Sequence, residues 1–188
     1  MDIRLEKPEE YRQVENLVRE AFWNVYQPGC VEHYLLHQLR DDPRFVPELD
    51  YVVEEEGAGG EQELLLFGPV GVLPEYQNKG YGSALIRFTL NRARELGWPA
   101  VVITGSPAYY SRFGFEPAGK YGIHHAMVDR EDPFPVFQIQ VLDPSRLPPS
   151  PGTYWDPPCY EPSQEDVEAF DRQFPEKKKE VRPGQLRG

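Results

Sequence analysis

Apolar side chains recur at helical spacing in two segments near the start of the chain. The first follows Pro8 and repeats apolar residues three or four positions apart, at Tyr11, Val14, Leu17, Val18, Ala21 and Phe22. Gln27-Pro28-Gly29 interrupts this pattern, and a second helix is predicted from Val31 to Arg40. Asp2 to Glu6 alternates apolar and charged residues, which predicts a short first strand.

The middle of the chain alternates strand and helix patterns. A strand is predicted from Leu49 to Val53, a Glu/Gly-rich loop from Glu54 to Glu63, and an apolar strand from Leu64 to Leu73. A helix follows from Tyr81 to Leu96, with Leu85, Ile86, Thr89, Ala93 and Leu96 on one face. Ala100 to Thr104 is a β-branched run typical of a buried strand. This order predicts a βαβ-type unit with antiparallel strands at its ends.

The strand that precedes the central helix has an unusual composition. It contains Gly68, Pro69 and Gly71. Proline cannot donate to a sheet ladder, and glycine inside a strand often marks a bulge or a close approach of another backbone. We therefore expect this strand to be distorted.

The last third of the chain is rich in proline. A brief helix is predicted at Pro107 to Arg112 and a last strand at Phe134 to Leu142. Ser163 to Asp166 resembles a capping box before a short amphipathic helix that carries Val167, Phe170 and Phe174. Residues 177–188 are interpreted as a solvated, frayed tail.

Composition excludes some classes of function. The 188 residues carry a formal net charge of −11, which argues against a nucleic-acid partner. It suits a cationic or neutral substrate, although solubility explains it equally well. The two cysteines, Cys30 and Cys159, lack metal-ligand or redox spacing and are expected to be ordinary thiols. No signal peptide or membrane-length apolar run is visible, so a cytoplasmic protein without a membrane partner is expected.

The segment Gln77-Asn78-Lys79-Gly80-Tyr81-Gly82 stands between a strand and a helix. The start of a helix presents free N–H groups and a partial positive charge, both of which suit a phosphate. Gly80 and Gly82 would let the backbone approach this anion closely. The loop therefore predicts a phosphorylated ligand, although a surface loop that merely caps a helix is the simpler alternative.

Two motifs point to a family. Val72-Leu73-Pro74-Glu75-Tyr76-Gln77-Asn78-Lys79-Gly80-Tyr81-Gly82-Ser83 resembles the acetyl-CoA-binding motif of the GCN5-related N-acetyltransferase (GNAT) family. Tyr109-Tyr110-Ser111-Arg112-Phe113-Gly114-Phe115 is similar to the family's aromatic-Tyr-x-x-x-Gly-Phe signature. One predicted helix and one predicted strand fill the gap between them, as in the family. The Gly-Thr-Tyr segment and the acidic helix near the C-terminus further resemble the bacterial YhbS-like branch.

The resemblance implies an α/β (α+β) fold of the GNAT acyltransferase type. In that fold a mixed, mostly antiparallel central sheet is flanked by helices. The family domain would span residues 1–142. Residues 143–188 would form a Pro-rich C-terminal extension with a short acidic helix and a basic tail.

The resemblance also implies a binding site for acetyl-CoA as co-substrate. By motif position, the cofactor-binding residues would be Gly71, Val72, Leu73, Gln77, Asn78, Lys79, Gly80, Tyr81, Gly82 and Ser83, with Ser106 in the region where many members have an asparagine. Tyr110 matches the tyrosine that usually protonates the departing CoA thiolate, although a core aromatic is the simpler alternative. The N–H of Val72 would polarise the thioester carbonyl. No metal is implied.

The function implied by the resemblance is acetyl transfer to a primary amine of a small molecule or peptide, by direct attack. The alternative is a non-catalytic module that binds CoA or an acyl-CoA as a sensor or scaffold. Two features motivate it: residues 64–67 offer no carboxylate as a base, with Glu63 just outside, and residues 54–63 leave little room for a strand that relatives have there. A nucleotide enzyme is a distant third, because the loop lacks the Gly-Lys-Ser/Thr ending of a P-loop. A homodimer is left open.

The sequence pattern predicts no metal-binding or catalytic role for the histidines. His33 and His37 are one helical turn apart, but the surrounding pattern favours the flank of an amphipathic helix over a metal site. His124-His125 is expected to be a solvated loop pair. Tyr26, Tyr34 and His37 are candidates for lining the acceptor pocket.

Overall fold

The computed structural model describes residues 3–48, 50–57, 60–147 and 152–185. In these residues the helices are α1 (Tyr11–Phe22), α2 (Glu32–Leu39), α3 (Tyr81–Glu95), α4 (Pro107–Tyr110) and α5 (Gln164–Asp171). The strands are β1 (Phe45–Val46), β2 (Asp50–Gly57), β3 (Gly60–Leu66), β4 (Ala100–Thr104), β5 (Glu116–Pro117), β6 (Ile123–His125), β7 (Phe137–Val141) and β8 (Gly152–Tyr154).

The chain divides into two compact units. The first, the helical unit, comprises Met1–Pro43, Pro69–Ala84 and Pro158–Gly188. The second, the sheet unit, comprises Arg44–Gly68 and Leu85–Pro157.

The sheet unit contains a mixed sheet with the strand order β1-β2-β3-β4-β7-β5. Its pairs are antiparallel apart from β3 and β4, which run parallel. A second, two-stranded sheet pairs β6 with β8 in parallel. This architecture confirms the expected α+β class with a mixed, mostly antiparallel sheet.

The centre of this sheet is apolar on both faces. Val101, Val102 and Ile103 of β4 are all at most 4% exposed, as is Leu65 of the neighbouring β3. Such continuous β-branched and aliphatic runs are typical of strands covered on both sides. The strand predicted at Ala100 to Thr104 is confirmed.

The predicted loop at Glu54 to Glu63 is wrong. Most of this segment forms the hairpin of β2 and β3, whose register runs from Tyr51↔Leu66 to Gly57↔Gly60. A hairpin ladder uses backbone groups alone, so once the apolar residues 64–66 set the register, the polar residues beyond them continue it. The strand predicted at Leu49 to Val53 falls within β2, except that residue 49 lies outside the described residues.

The strand predicted from Leu64 to Leu73 is too long. Strand β3 ends at Leu66, and the N–H of Phe67 still donates to the carbonyl of Val102 at 2.9 Å. Gly68 then has a φ of +143°, and Pro69 has no N–H to continue the ladder. The expected distortion is therefore present, but it ends the strand instead of bending it.

Two further predictions of local structure are wrong. Residues 3–6 are not a strand: the guanidinium of Arg4 binds the carboxylate of Glu10 at 2.6 Å, at the turn that precedes α1. The face predicted for the central helix is wrong at Leu85 and at Leu96, just after α3, which are 38% and 43% exposed; Ile86 and Ala93 are buried as predicted, together with Leu90. These three residues follow the helical period of four and three positions, whereas Leu85 lies about 100° away from Ile86 around the axis.

In the helical unit, a buried arginine joins α1 to α5. The Nε of Arg19 donates to Oδ1 of Asp171 at 2.6 Å, and the guanidinium lies 4.3 Å from the ring centroid of Trp23. The Nε2 of His33 lies 3.3 Å from the same carboxylate oxygen, and its Nδ1 lies 3.2 Å from the sulfur of Cys30. A guanidinium that is only 1% exposed needs such a counter-charge, so this cluster fixes the three helices to one another.

A buried carboxylate joins α1 to α2. Glu15 is 4% exposed and accepts from Nη1 of Arg40 at 2.7 Å, and its Oε1 lies 3.0 Å from Nδ1 of His37. Arg40 also binds Glu6 at 2.7 Å. In the described part of the chain, no group of three or more histidine, cysteine or acidic side chains is arranged to hold a metal ion.

The basic tail is ordered onto the turn after α1, so the expectation of a frayed tail is wrong for residues 177–185, whereas most of these residues are exposed to solvent as expected. The indole of Trp23 and the amide nitrogen of Asn24 both donate to the carbonyl of Lys178, at 3.0 and 3.1 Å. The amide oxygen of Asn24 accepts the N–H of Glu180 at 3.0 Å and that of Gly29 at 2.8 Å. The tail is held through its backbone, which composition does not reveal.

The expectation that His124-His125 is a solvated pair is wrong for His125. This residue is 8% exposed, and its Nδ1 accepts the N–H of Met127 at 3.3 Å. Its Nε2, which then carries the proton of the neutral ring, lies 3.1 Å from Oδ2 of Asp156. The ring also packs edge-on against Phe137. The Nδ1 of His125 therefore holds the loop after β6, and its Nε2 contacts the segment after β8.

Burial predicts a pH dependence of stability through His33. Burial lowers the pKa of His33 to about 4, against an ordinary value of 6.5, despite the nearby Asp171 carboxylate. The unfolded chain then binds the proton first, so the free energy of unfolding falls as the pH drops from about 6.5 towards 4. Its contribution to the loss between pH 7 and pH 5 is on the order of 2 kcal/mol. Urea denaturation at both pH values should show a smaller loss for His33→Gln, and equal losses would contradict this account.

The contacts of Asn24 predict that one side chain controls the docking of the tail. Asn24 has a φ of +59°, which asparagine tolerates better than alanine. Asn24→Ala strains the backbone and leaves buried N–H groups without acceptors, so it should lower the free energy of unfolding by about 2–4 kcal/mol. Val25→Ala, at the neighbouring exposed position, is the control and should change it by less than about 0.5 kcal/mol. Equal effects in thermal denaturation would show that the tail is not held by Asn24.

Candidate functional site

The glycine loop of the helical unit leads directly into α3. A 3-10 turn at Pro74–Tyr76 precedes it, and Asn78 and Gly80 have φ values of +59° and +89°. The N–H of Ala84 donates to the carbonyl of Gly80 at 2.9 Å, which is the first bond of the helix. The N–H groups of the three residues between them have no acceptor within a helix of this geometry. This arrangement is suited to an anion.

The loop is open on the side of Gly80. A Cβ built on Gly80 would meet no atom within 4 Å, and residues 77–81 are all exposed. Gly82 is buried and Ser83 is half-buried. Backbone N–H groups at an exposed, glycine-containing turn can approach a phosphate more closely than a side chain would permit.

The segment before the loop is held by two contacts of its own. The side-chain amide of Gln77 donates to the carbonyl of Val72 at 3.1 Å, and the N–H of Tyr76 donates to the carbonyl of Leu73 at 2.8 Å. Gly71 lies against α1, where a Cβ would be 3.2 Å from Cδ2 of Leu17. Residues 71–73 are therefore fixed by loop and helix contacts instead of by a sheet ladder.

A lysine and two tyrosines flank the loop. The ammonium of Lys79 lies 5.1 Å from the ring centroid of Tyr76, whose ring packs edge-on against Tyr81 at 6.0 Å. Both rings remain more than 40% exposed. An exposed ammonium next to free N–H groups adds to the attraction for an anion.

The second motif belongs to the sheet unit. The carbonyl of Ser106 accepts the N–H groups of Tyr109 and Tyr110, both at 3.0 Å, and so begins α4. The hydroxyl of Ser106 makes no capping bond, and its side chain is exposed. Ser106 therefore acts in the fold through its backbone.

The ring of Tyr110 lies against a glycine. A Cβ on Gly105 would be only 2.5 Å from Cε2 of Tyr110. Phe115 meets the ring edge-on at 5.8 Å, and Tyr109 does so at 5.0 Å. Tyr110 is half-buried, so its ring is packed while part of the side chain reaches solvent.

The predicted site residues fall into two groups. Residues 71–73 and 77–83 belong to the helical unit, whereas Ser106 and Tyr110 belong to the sheet unit. Sequence reasoning missed the role of Gly105, against which the Tyr110 ring lies, and the buried Gln138, whose amide donates to the carbonyl of Gly105 at 3.0 Å. A polar residue inside the apolar run Phe137-Gln138-Ile139 was the available signal.

Each unit also has an open cavity. The cavity of the helical unit, about 430 Å³, is lined by His37 with Glu15, Tyr11 and Phe170 among others. Tyr26 and Tyr34 do not line it. The cavity of the sheet unit, about 300 Å³, lies against His125, Phe134 and Phe137. The assignment of Tyr26, Tyr34 and His37 to an acceptor pocket stays a prediction.

Comparison with known proteins agrees with these motifs. A family model described as an acetyltransferase (GNAT) domain matches residues 2–118. The uncharacterized N-acetyltransferase YhbS of Escherichia coli K12 is 28% identical over 152 residues, which cover 74% of this chain and 87% of that protein. The uncharacterized N-acetyltransferase YjhQ of the same organism is 43% identical over 58 residues, or 30% of this chain and 32% of that protein.

Solved structures share the fold. The crystal structure of E. coli YhbS in complex with CoA matches with a TM-score of 0.69 at 24% identity, over 84% of this chain and 89% of that one. A GNAT family acetyltransferase from Brucella melitensis in complex with acetyl-CoA matches with a TM-score of 0.60 at 23% identity, over 85% and 97%.

The sequence motifs, the family model and the fold therefore all indicate the same protein family. Within the part of the chain that the structure describes, every helix is too short or too polar to span a lipid bilayer. The family model spans more than half of the chain and includes the glycine loop and Tyr110. This chain belongs to the GNAT family of N-acetyltransferases.

Proposed function

We propose that this protein transfers the acetyl group of acetyl-CoA to a primary amine of a small molecule or peptide. The observation that carries the proposal is the open loop at the start of α3, with N–H groups that have no acceptor within the helix and with free space beside Gly80. Family membership supports it, as do the relatives whose structures were solved with CoA and acetyl-CoA. The family machinery would lie within residues 1–142, and residues 143–188 would be an extension.

The helical unit would hold acetyl-CoA through its backbone. The loop residues 77–80 and the N–H groups of Tyr81, Gly82 and Ser83 would bind the pyrophosphate. Gly71, Val72 and Leu73 would bind the pantetheine arm, with Ser106 as a further contact. Because these groups are mostly N–H donors fixed by the fold, they would bind the anion without ordering long side chains.

The reaction would require one proton donor. A thioester provides an activated acyl group, and the neutral amine of the acceptor would attack its carbonyl directly. The new C–N bond forms as the C–S bond breaks, the amine loses its extra proton to solvent by way of water or a backbone carbonyl, and the hydroxyl of Tyr110 protonates the departing thiolate and then recovers a proton from solvent. The N–H of Val72 would stabilise the negative charge that develops on the carbonyl oxygen.

The two cysteines bear on the compartment in which the reaction would take place. Cys30 and Cys159 are thiols that are not joined in a disulfide, and burial raises the pKa of the Cys30 thiol, which makes it unreactive. Cysteines kept as thiols suit a reducing compartment, so we propose that the reaction takes place in the cytoplasm. Either a monomer or a homodimer would be compatible with the proposed reaction.

The role of the loop predicts a selective loss of affinity. Gly80→Ala adds a methyl group to the open side of the loop at a φ of +89°, so the dissociation constant for acetyl-CoA should rise at least about tenfold. Gly184→Ala is a matched control, because Gly184 has the same φ of +89° and also has no atom within 4 Å. Calorimetric titration with acetyl-CoA should show an unchanged dissociation constant for the control. No heat of binding to the folded parent protein would contradict the proposal.

The role of Tyr110 predicts a loss of turnover without a loss of binding. Tyr110→Phe removes the proton donor, so kcat should fall about 10²- to 10⁴-fold while the dissociation constant for acetyl-CoA changes less than about twofold. The assay is acetyl-CoA-dependent release of thiol with a panel of primary amines, and Tyr109→Phe is the control. Tight binding without turnover of any amine would instead favour the sensor or scaffold alternative.

A further inference from the structure

The peptide at Gly105 is held on both sides by the segment that enters β7. Its N–H donates to the carbonyl of Val136 at 2.8 Å, and its carbonyl accepts the side-chain amide of Gln138 at 3.0 Å. The first bond continues the β4–β7 ladder by one residue beyond Thr104↔Phe137. The second bond comes from a side chain and therefore depends on the identity of one residue.

Gly105 is also the surface on which the ring of Tyr110 lies. A Cβ at this position would be 2.5 Å from Cε2 and 2.9 Å from Cδ2 of the ring, so glycine is required for the contact. Phe115 and Tyr109 meet the same ring edge-on. The position of the Tyr110 ring therefore depends on the position of the Gly105 peptide.

Gln138 occupies a buried position at which packing alone would favour an apolar side chain. It is 1% exposed, and its neighbours along β7, Phe137 and Ile139, are 3% and 1% exposed. A buried amide costs free energy unless it is hydrogen-bonded, and an apolar side chain of the same size would fill this space more cheaply. Because its partner is a carbonyl, the nitrogen end of the amide must face Gly105.

We propose that Gln138 is a positioning residue for Tyr110, which it holds in place through the carbonyl of Gly105. The inference rests on the proposed function, in which the Tyr110 hydroxyl donates a proton to the leaving thiolate. Proton transfer requires donor and acceptor at hydrogen-bond distance, and a shift of about 1 Å in such a group can cost about 10²-fold in rate. Gln138 acts on the reaction only through this geometry and does not touch the reacting atoms.

A double-mutant cycle tests the proposal. Gln138→Met preserves the length of the side chain and removes the donor, so kcat should fall about tenfold while the KM for acetyl-CoA stays within about twofold. In a Tyr110→Phe background the same substitution should change kcat by less than about twofold, because the group that Gln138 positions is absent. An equal fall in both backgrounds, or no fall in the parent, would overturn the proposal.

Ile139→Val is the control for lost stability. It removes one buried methyl group from the adjacent position of the same strand and leaves the bond to Gly105 intact. If Ile139→Val lowers the melting temperature as much as Gln138→Met, it should still leave kcat within about twofold of the parent. A matching fall in kcat would show that Gln138 acts through general packing.

A second measurement does not need turnover. With 3-fluorotyrosine incorporated at position 110, the ¹⁹F resonance of the ring should shift or broaden in Gln138→Met and remain unchanged in Ile139→Val. An unchanged resonance in Gln138→Met would overturn the proposal even if the enzyme is active. If the parent protein turns over no amine, the proposed function fails, and the resonance alone decides whether Gln138 positions the ring.

Discussion

The parallel pairing of β3 with β4 stops at Phe67, and the candidate site depends on that stop. Pro69 has no N–H for a ladder, and Gly68 has a φ of +143° that turns the chain away. The chain beyond this stop lies outside the sheet, so the carbonyls of Val72 and Leu73 accept from Gln77 and Tyr76 and fix the turn that leads into the glycine loop.

Charged groups inside the helical unit explain why the C-terminal segment belongs with the first two helices. Arg19 and Asp171 are 152 positions apart in the sequence and are joined by a hydrogen bond of 2.6 Å. The side chain of Asn24, in the turn after α1, binds the backbone of the tail. Such buried pairs add little net stability, because desolvation offsets their attraction. They do penalise any arrangement in which one partner is missing, so they select the docked position of α5 and the tail.

Features that depend on local pattern were predictable from the sequence, and features that depend on distant partners were not. Apolar periodicity predicted α1, α2 and α3, and the two motifs predicted the glycine loop and the turn around Tyr110. The burial of His125 beside Asp156 could not be predicted, and the apolar run around Gln138 marked that residue without identifying Gly105 as its partner, since each partner lies about 30 positions away. The hairpin of β2 and β3 was missed because its polar end resembles a loop in composition.

Nuclear magnetic resonance tests the central claim, that the start of α3 binds the pyrophosphate of acetyl-CoA, most directly. Backbone amide resonances would be followed during titration with acetyl-CoA and, separately, with an acetyl thioester of N-acetylcysteamine, which lacks the pyrophosphate. The account predicts that acetyl-CoA shifts the amides of Gly80, Tyr81, Gly82 and Ser83 the most and that the short thioester leaves them unchanged. Unshifted loop amides in the presence of saturating acetyl-CoA would contradict it.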